Sequence, residues 1–259
     1  MTAIVLLPLL LLFIHYAGPV WFAGLITLVT GIALYEFYGM SLKEYRRPEK
    51  YLAILYGTLL VPVVGTGHTL AFQGGMTLAF LFFGLVFLFR FKDLAQVLNE
   101  LALLLFGFCY IPLLLAHLVL LRGLPFGREW IFLVMLIVMA CDTAAYFSGV
   151  SLGRHKLYPA ISPNKSIEGA VGGLLGSMVA AFVARWWFFP ALSPWDCLFL
   201  GLALGCLGQA GDLFESMIKR VFQVKDSGSI VPGHGGILDR LDSLLFTFPF
   251  AYYYGLFLF

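Results

Sequence analysis

Residues 211–243 read GDLFESMIKRVFQVKDSGSIVPGHGGILDRLDS, and this stretch holds ten ionisable side chains and five glycines. Strongly apolar segments precede and follow it. The chain is 61% hydrophobic and only 12% charged, so an unusual share of its charge is gathered here. The flanking segments predict membrane-spanning helices, and the stretch between them predicts a polar site at the membrane boundary.

Composition excludes an ordinary soluble domain. Such a domain has about 25% charged residues, twice the 12% found in these 259 residues. Apolar runs of about 20 residues, long enough to cross a bilayer as helices, recur along the whole chain. The net charge of +2 does not favour nucleic acid as a partner. The expected fold is therefore an all-α, multi-pass integral membrane protein.

Nine apolar segments are predicted from the hydropathy pattern. They cover residues 2–16, 19–39, 51–67, 69–89, 101–121, 130–150, 169–189, 196–222 and 237–258. The first is interpreted as a retained helix rather than a signal peptide. We expect a single membrane domain over 1–259, with less specific N-terminal helices in 1–130 and the site-bearing helices and loops in 131–259.

Basic residues predict the orientation of these segments. They cluster in the connections after the even-numbered segments and at the end of the eighth segment: Lys43, Arg46, Arg47, Lys50, Arg90, Lys92, Arg154, Lys156, Lys165, Lys219, Arg220 and Lys225. The alternate connections carry only Arg122 and Arg128. The positive-inside rule then places the N-terminus and every polar cluster on the cytoplasmic side of the cell (inner) membrane.

A first polar cluster, CDTAAYFSG, lies in the sixth segment. Asp142, Tyr146 and Gly149 share a helical face at i, i+4 and i+7. A carboxylate inside a span costs about 2.5–3.5 kcal/mol on insertion scales, so Asp142 should face a partner or a wet cavity. The alternative is a packing acid paired with a nearby base.

A second cluster, residues 153–169, joins the sixth and seventh segments. Its basic residues are Arg154, His155, Lys156 and Lys165. Ser166 or Ser162 could cap a helix that begins near Ile167, and a helix N-terminus beside lysines attracts phosphate. The alternative is a basic loop that only determines topology.

The opening stretch is the third cluster, and its first part continues the eighth helix. Four residues lie on one stripe of that helix at i, i+3, i+4 and i+7: Asp212, Glu215, Ser216 and Lys219. The motif PGHGG follows, whose glycines allow backbone N–H groups to approach phosphate closely. His234 is expected to face a ligand, with a structural loop histidine as the alternative.

The residues LDRLDS are then expected to open the ninth helix. Asp239, Asp242 and Ser243 would share one face of it. Two carboxylate stripes with a glycine loop between them suit Mg²⁺ shared with phosphates, because magnesium is held by one or two carboxylates plus substrate oxygens. The residues alone therefore indicate a membrane-embedded, cytoplasm-facing site for a divalent cation and a phosphate-rich ligand.

The third cluster resembles the signature of the phosphatidate cytidylyltransferases, or CDP-diacylglycerol synthases. The matching positions are Ser216, Lys219, Arg220, Lys225, Asp226, Pro232, His234, Gly235, Gly236, Asp239, Arg240 and Asp242. The family's upstream elements D-x-x-A-Y and S-P-x-K-[ST]-x-E-G also occur, at 142–146 and 162–169. The resemblance covers the C-terminal half, and the first 130 residues match only in being multi-span. Two departures are Val231, where Leu, Ile or Phe is more frequent, and Asn164, where a second Lys is common.

The resemblance implies that CTP and phosphatidic acid condense to CDP-diacylglycerol and pyrophosphate with Mg²⁺, a second metal ion being left open. CTP, phosphatidic acid and membrane lipid are then the partners, and the aromatic-rich spans could pack a homodimer. The lipid phosphate is already an ionised nucleophile, so positioning two anions and neutralising their charge can carry catalysis without a strong general base.

The resemblance also implies roles for residues. The candidate catalytic residues are Asp212, Lys219, Arg220, Lys225, Asp226, His234, Asp239, Arg240 and Asp242, and the candidate substrate-binding residues are Asp142, Tyr146, Ser162, Lys165, Ser216, Gly235 and Gly236. Asp212 and Asp239 are the expected metal ligands. Asp226 and Asp242 are expected to be further ligands or to orient Arg220 and Arg240.

The remaining assignments concern the phosphates. Lys219, Arg220 and Lys225 are expected to bind the triphosphate and the pyrophosphate leaving group. The Ser162–Lys165 loop would hold either the lipid phosphate or the cytidine.

Three other function classes are alternatives, and the cost of burying so many charges disfavours one of them, a purely structural membrane protein. A cation- or proton-coupled transporter would place charges at mid-membrane, whereas here they gather at one face. Another lipid-phosphate enzyme is the second alternative, either a CTP-dependent lipid-alcohol kinase or an alcohol phosphatidyltransferase. The phosphatidyltransferase needs a D-G-x-x-A-R array, which the chain lacks.

Overall fold

The computed structural model describes residues 2–65, 69–230 and 235–259. Within them the helices are α1 (Thr2–Tyr16), α2 (Pro19–Ser41), α3 (Arg47–Gly65), α4 (Thr69–Arg90), α5 (Val97–Tyr110), α6 (Pro112–Gly123), α7 (Gly127–Leu152), α8 (Ile167–Trp187), α9 (Pro194–Val221) and α10 (Asp242–Phe257). Short 3₁₀ turns cover Glu44–Arg46 and Leu238–Arg240. The predicted all-α class is confirmed. The connection before α8 adds one antiparallel hairpin of β1 (Lys156–Tyr158) and β2 (Ser162–Ser166).

One predicted segment is divided in two. Residues 101–121 were expected to form one helix, but α5 ends at Tyr110 and α6 begins at Pro112. Proline has no N–H to donate and disfavours helical backbone at the residue before it. The break at Ile111 is therefore the local effect of Pro112.

Six stretches of the described residues are long and apolar enough to cross a membrane. They are Pro19–Ser41, Phe72–Arg90, Val97–Gly123, Gly127–Leu152, Ile167–Trp187 and Pro194–Val221. The third of these contains both α5 and α6. Helices of this kind support an integral membrane protein with several spans.

The chain forms two compact units. The first comprises residues 1–123 and 226–239, and the second comprises 124–225 and 240–259. Helices α1 to α6 thus belong to the first unit together with residues 226–230 and 235–239, which follow α9 in the chain. The second unit contains α7 to α10 and the β-hairpin.

The first unit contains a buried ionic cluster around Arg46, which is only 1% exposed. Its Nε donates to Glu100 Oε2 at 2.8 Å, and its Nη1 donates to the carbonyl of Arg90 at 2.9 Å. The guanidinium also lies 4.3 Å from the centre of the Phe87 ring. Arg46 is therefore part of the packed interior, in addition to belonging to a basic connection. Removing one partner of such a pair would leave a buried charge uncompensated.

In the second unit, α7 and α8 pack closely through small residues. A Cβ atom added to Gly176 would lie 2.5 Å from the Ala144 Cβ, and one added to Gly173 would lie 3.0 Å from the Ala145 Cβ. Small residues allow helices in a membrane to approach until their backbones are nearly in contact. This approach aligns the polar residues of α7 with the N-terminus of α8.

We expect G176L to destabilise the protein by about 1–3 kcal/mol, because a larger side chain forces the two helices apart. The midpoint of thermal unfolding in detergent should fall by roughly 2–10 °C. G84L is the matched control, since nothing lies within 4 Å of a Cβ added to Gly84 in α4. Equal midpoints for the two variants would contradict the close-packing explanation.

Candidate functional site

A cavity of about 600 Å³ opens in the second unit. Its walls come from α7, the hairpin, the start of α8 and the middle of α9. Four ionisable or polar residues predicted from the sequence line it: Asp142, Tyr146, Lys165 and Asp212. The structure thus brings together residues from all three predicted clusters.

An ion pair forms part of the cavity wall. Lys165 Nζ lies 2.6 Å from Asp212 Oδ2, and each side chain is 30% exposed. Ser216 Oγ lies 3.4 Å from the other carboxylate oxygen of Asp212. Because both charged groups remain partly open to the cavity, an anionic or cationic ligand can reach them.

Three carboxylates of the second unit lie close enough to repel one another. The charge of Asp212 acts on both Asp142 and Asp242, while Lys165 attracts Asp142 and Lys219 attracts Asp242. A cation bound among the three acids would relieve this repulsion.

Packing of α9 against α10 explains why Asp242 lies near Asp212. A Cβ atom added to Gly211 would lie 2.5 Å from the carbonyl oxygen of Asp242. Only glycine therefore allows the first residue of α10 to lie against α9 beside Asp212. Ser243 N donates to Asp242 Oδ1 at 2.7 Å, which fixes one oxygen of that carboxylate.

The donors of the cavity suit magnesium. Carboxylate oxygens are the ligands that Mg²⁺ prefers, and zinc would instead favour Cys and His. Among the described residues, no group of three or more His, Cys, Asp or Glu side chains is arranged to hold a metal ion. Substrate phosphates and water would have to complete the coordination, as is usual for Mg²⁺.

The N-terminus of α8 is built as the sequence indicated. Of the two candidate caps, Ser166 is the one used: its Oγ accepts the N–H of Gly169 at 3.1 Å. Ser162 lies at the start of β2 and does not line the cavity. Glu168 accepts the N–H groups of Arg154 and His155 at 3.1 and 3.2 Å. The basic loop is thereby held against α8, with Lys165 facing the cavity.

The predicted phosphate-binding cations at the end of α9 and beyond it each have different neighbours. Lys219 Nζ lies 3.3 Å from Glu215, which is fully buried. Arg220 Nε donates to the carbonyl of Ile161 in the hairpin at 3.3 Å. Lys225 and Arg240 are exposed. The predicted polar stripe on α9 is confirmed, since that helix runs to Val221.

The prediction that the last helix begins before Asp239 and includes it is wrong. Helix α10 begins at Asp242, and Asp239 lies in the preceding 3₁₀ turn. The two acids therefore do not share one face of α10. The cause is local: the Asp239 carboxylate accepts hydrogen bonds from the loop before it, which replaces helical pairing with a turn.

Asp239 is 9% exposed and organises that loop within the first unit. Its Oδ2 accepts the N–H of Ser227 at 2.9 Å and the N–H of Gly236 at 2.7 Å. The amide of Gly236, expected to approach a phosphate, thus donates to the protein's own carboxylate. Gly235 has φ +79°, a left-handed conformation suited to glycine.

Three further predicted residues lie in the sequence between Lys225 and Gly235. Asp226 is exposed. His234 and Pro232 lie outside the described residues. Asp226 and Asp239 belong to the first unit, whereas Asp212 belongs to the second. An ion shared between Asp212 and Asp239 therefore stays a prediction from the sequence.

Glu36 is a buried acid that was not predicted from the sequence as a site residue. It lies inside the apolar run ALYEFYG of α2 and is 4% exposed. Its position was itself a signal, since an acid inside an apolar span requires a partner. It was overlooked because the first 130 residues carry no part of the signature motif.

Comparison with known proteins gives a consistent result. The cytidylyltransferase family matches residues 1–258. The chain is 34% identical over 254 residues to a phosphatidate cytidylyltransferase of Bacillus subtilis, covering 96% of this chain and 94% of that protein. It is 43% identical over 161 residues to one of Staphylococcus haemolyticus, which covers 62% of this chain and 58% of the relative. A Staphylococcus aureus protein of the same description is 49% identical over 123 residues, covering 48% of this chain and 47% of the relative.

Proposed function

The chain belongs to the cytidylyltransferase family, and on that premise we propose that it condenses CTP with phosphatidate to form CDP-diacylglycerol and pyrophosphate. Relatives described as phosphatidate cytidylyltransferases support this reaction. The observation that carries the proposal is the cavity in which Asp142, Lys165 and Asp212 meet. It offers both signs of charge to a phosphate-rich ligand.

The reaction balances without an external proton acceptor. An ionised oxygen of the phosphatidate phosphate forms a bond to the α-phosphorus of CTP, and the bond between that phosphorus and the α,β-bridging oxygen breaks. The electron pair leaves with pyrophosphate. Because both reactants are anions, the chief requirement is to hold them together against their repulsion.

Asp212 and Asp142 are the carboxylates proposed to hold Mg²⁺ in the second unit, with Asp242 close enough to contribute charge. Magnesium bound there would neutralise charge on the phosphates during transfer. Asp239 keeps its proposed role as a metal ligand from the family resemblance. Its Oδ2 also holds the loop, as described above.

The chain's own cations act on the phosphates in this proposal. Lys165 donates to a phosphate oxygen at the cavity and balances the charge of Asp212. Lys219, Arg220 and Lys225 bind the triphosphate and the departing pyrophosphate. Lysine and arginine make charge-assisted hydrogen bonds to phosphate, about twice as strong as those between neutral groups.

We propose further that the nine apolar segments lie in the cell membrane with the N-terminus in the cytoplasm. The excess of basic residues after the even-numbered segments supports this orientation. CTP would then reach the cavity from the cytoplasm, and phosphatidate would reach it from the bilayer. A homodimer packed through aromatic-rich spans is part of the same proposal, and light scattering of the purified protein tests it.

One assay tests the reaction. Purified protein is mixed with labelled CTP, phosphatidic acid and Mg²⁺, and both products are measured. We expect CDP-lipid and pyrophosphate in equal amounts, with neither formed when phosphatidic acid is omitted. Transfer of the CTP γ-phosphate to a lipid alcohol, or ion flux across vesicles without CDP-lipid, would contradict the proposal.

A further inference from the structure

Glu36 is a carboxylate placed where an unpartnered charge would be strongly unfavourable. It lies in the fifth turn of the membrane-length helix α2, and only 4% of its surface is exposed. A buried carboxylate needs hydrogen-bond donors or positive charge to remain stable. The identity of its donors therefore indicates what this residue is for.

The donors come from the loop that carries Asp239. Ile237 N donates to Glu36 Oε1 at 3.0 Å, and Leu238 N donates to Glu36 Oε2 at 2.9 Å. Ser227 Oγ lies 3.2 Å from the same Oε2. One carboxylate thus contacts both described flanks of the loop, residues 226–230 and 235–239.

Glycines leave room for this carboxylate. A Cβ atom added to Gly228 would lie 2.6 Å from Glu36 Oε1, and one added to Gly236 would lie 2.5 Å from Oε2. Real Cβ atoms do not approach other atoms so closely. The close approach of the Glu36 carboxylate therefore accounts for glycine at positions 228 and 236.

Ser227 connects Glu36 to Asp239. Its hydroxyl lies 3.0 Å from Asp239 Oδ2 and 3.2 Å from Glu36 Oε2. The hydroxyl has one hydrogen, so it donates to one carboxylate at a time and keeps both close to the same atom. A displacement of Glu36 would therefore disturb the partner of Asp239 directly.

We propose that Glu36 is a positioning residue for cytidylyl transfer, holding both loop flanks so that Asp239 is presented in its working orientation. This inference rests on the proposed function, in which Asp239 takes part in the reaction. Glu36 acts through the loop and contacts no substrate. Misplacing a catalytic group by about 1 Å can lower a rate about 100-fold.

The E36Q variant tests this with little change in shape. A carboxamide has one acceptor oxygen and one NH₂ group, whereas Glu36 presents two acceptor oxygens to N–H donors on both sides. In either orientation the NH₂ group faces the N–H of Ile237 or Leu238. Because two donors cannot pair, that part of the loop is expected to move away from residue 36. E36D keeps two acceptor oxygens on a shorter side chain.

The experiment measures kcat, both KM values, the unfolding midpoint, and hydrogen exchange of peptides covering residues 226–241 in the full-length protein. E36Q should lower kcat about 10- to 100-fold while both KM values stay within about twofold of wild type. The loop peptides should exchange faster. E36D should lower kcat less than E36Q does, because both acceptor oxygens remain on the shorter side chain.

E100Q is the matched control. Glu100 is a buried glutamate of the same unit, 6% exposed, whose hydrogen-bond partners are Tyr45 and Arg46 rather than the loop. We expect E100Q to lower the unfolding midpoint while kcat stays within about twofold of wild type and loop exchange is unchanged. A role of Glu36 in stability alone would make E36Q behave like E100Q.

Several outcomes would overturn the proposal: kcat of E36Q within about twofold of wild type, unchanged loop exchange, or E36D as slow as E36Q. If E36Q does not fold, E36D and S227A decide the matter. S227A should fall between wild type and E36Q in kcat with faster loop exchange, and wild-type values would contradict the proposal. If wild type makes no CDP-lipid, the proposed function fails, while loop exchange still reports whether Glu36 holds the loop.

Discussion

Purified D212N is expected to lose almost all activity, with kcat/KM for CTP about 10²–10³-fold below wild type. The substitution removes the carboxylate that pairs with Lys165 at 2.6 Å and acts electrostatically on Asp142 and Asp242. Asparagine keeps the size of the side chain and can still accept from Ser216. The loss would therefore come from charge and metal binding, and the Mg²⁺ concentration for half-maximal activity should rise.

D196N is the control on the same helix. Asp196 lies in the first turn of α9, away from the cavity, where it accepts the N–H of Ser193 at 2.7 Å and the hydroxyl of Tyr254 at 2.5 Å. Its substitution weakens the cap and should lower thermal stability by about 1 kcal/mol while activity per folded molecule is preserved. Equal activity losses in D196N and D212N would mean that the helix, rather than the cavity, is sensitive to the change.

K165M is expected to lower kcat/KM about 10- to 150-fold, the equivalent of losing one hydrogen bond to a charged group worth about 1.5–3 kcal/mol. Lys165 lines the cavity beside Asp142 and Asp212. Without it the cavity repels phosphate more strongly but keeps its carboxylates. The Mg²⁺ requirement should therefore not rise, in contrast to D212N.

The same variant shows which substrate Lys165, in strand β2 of the hairpin, binds. If KM for phosphatidate rises, Lys165 binds the lipid phosphate, and if KM for CTP rises, it binds the nucleotide. K156M is the control, because Lys156 is exposed in β1 of the same hairpin and does not line the cavity. Full activity of K165M would remove this residue from the proposed site.

The parts of the site that depend on local sequence could be predicted. The apolar run before Asp212 continues into a charged segment with helical spacing, and α9 indeed extends to Val221. Ser166 was one of two candidate caps, and it caps α8. Such features depend on residues within a few positions of each other, so their spacing is visible in one sequence.

Three other local features were not predicted, although one of them, the break before Pro112, had a clear signal in the sequence. Pro112 marks the break between α5 and α6. The hairpin at 156–166 is too short for an alternating pattern to stand out. Asp239 and Asp242 occur three residues apart, which suits one helical face, but hydrogen bonds from Ser227 and Gly236 hold Asp239 in a separate turn.

Contacts between distant parts of the chain could not be predicted. Glu36 and Leu238 are 202 residues apart, and no pattern in one sequence shows which carboxylate a backbone N–H will meet. Gly236, in the motif PGHGG, therefore suggested phosphate binding, whereas its surroundings include Glu36. Long-range partners of this kind require coordinates.

The central claim is that the Asp142, Lys165 and Asp212 cavity binds the metal and the phosphates. The most direct test is an experimental structure with Mn²⁺ and a non-hydrolysable CTP analogue, located by the anomalous signal of manganese. We predict an ion within about 2.5 Å of an Asp212 carboxylate oxygen, with the analogue's phosphates contacting Lys165. An ion and nucleotide bound elsewhere, with Asp212 contacting only Lys165, would contradict the claim.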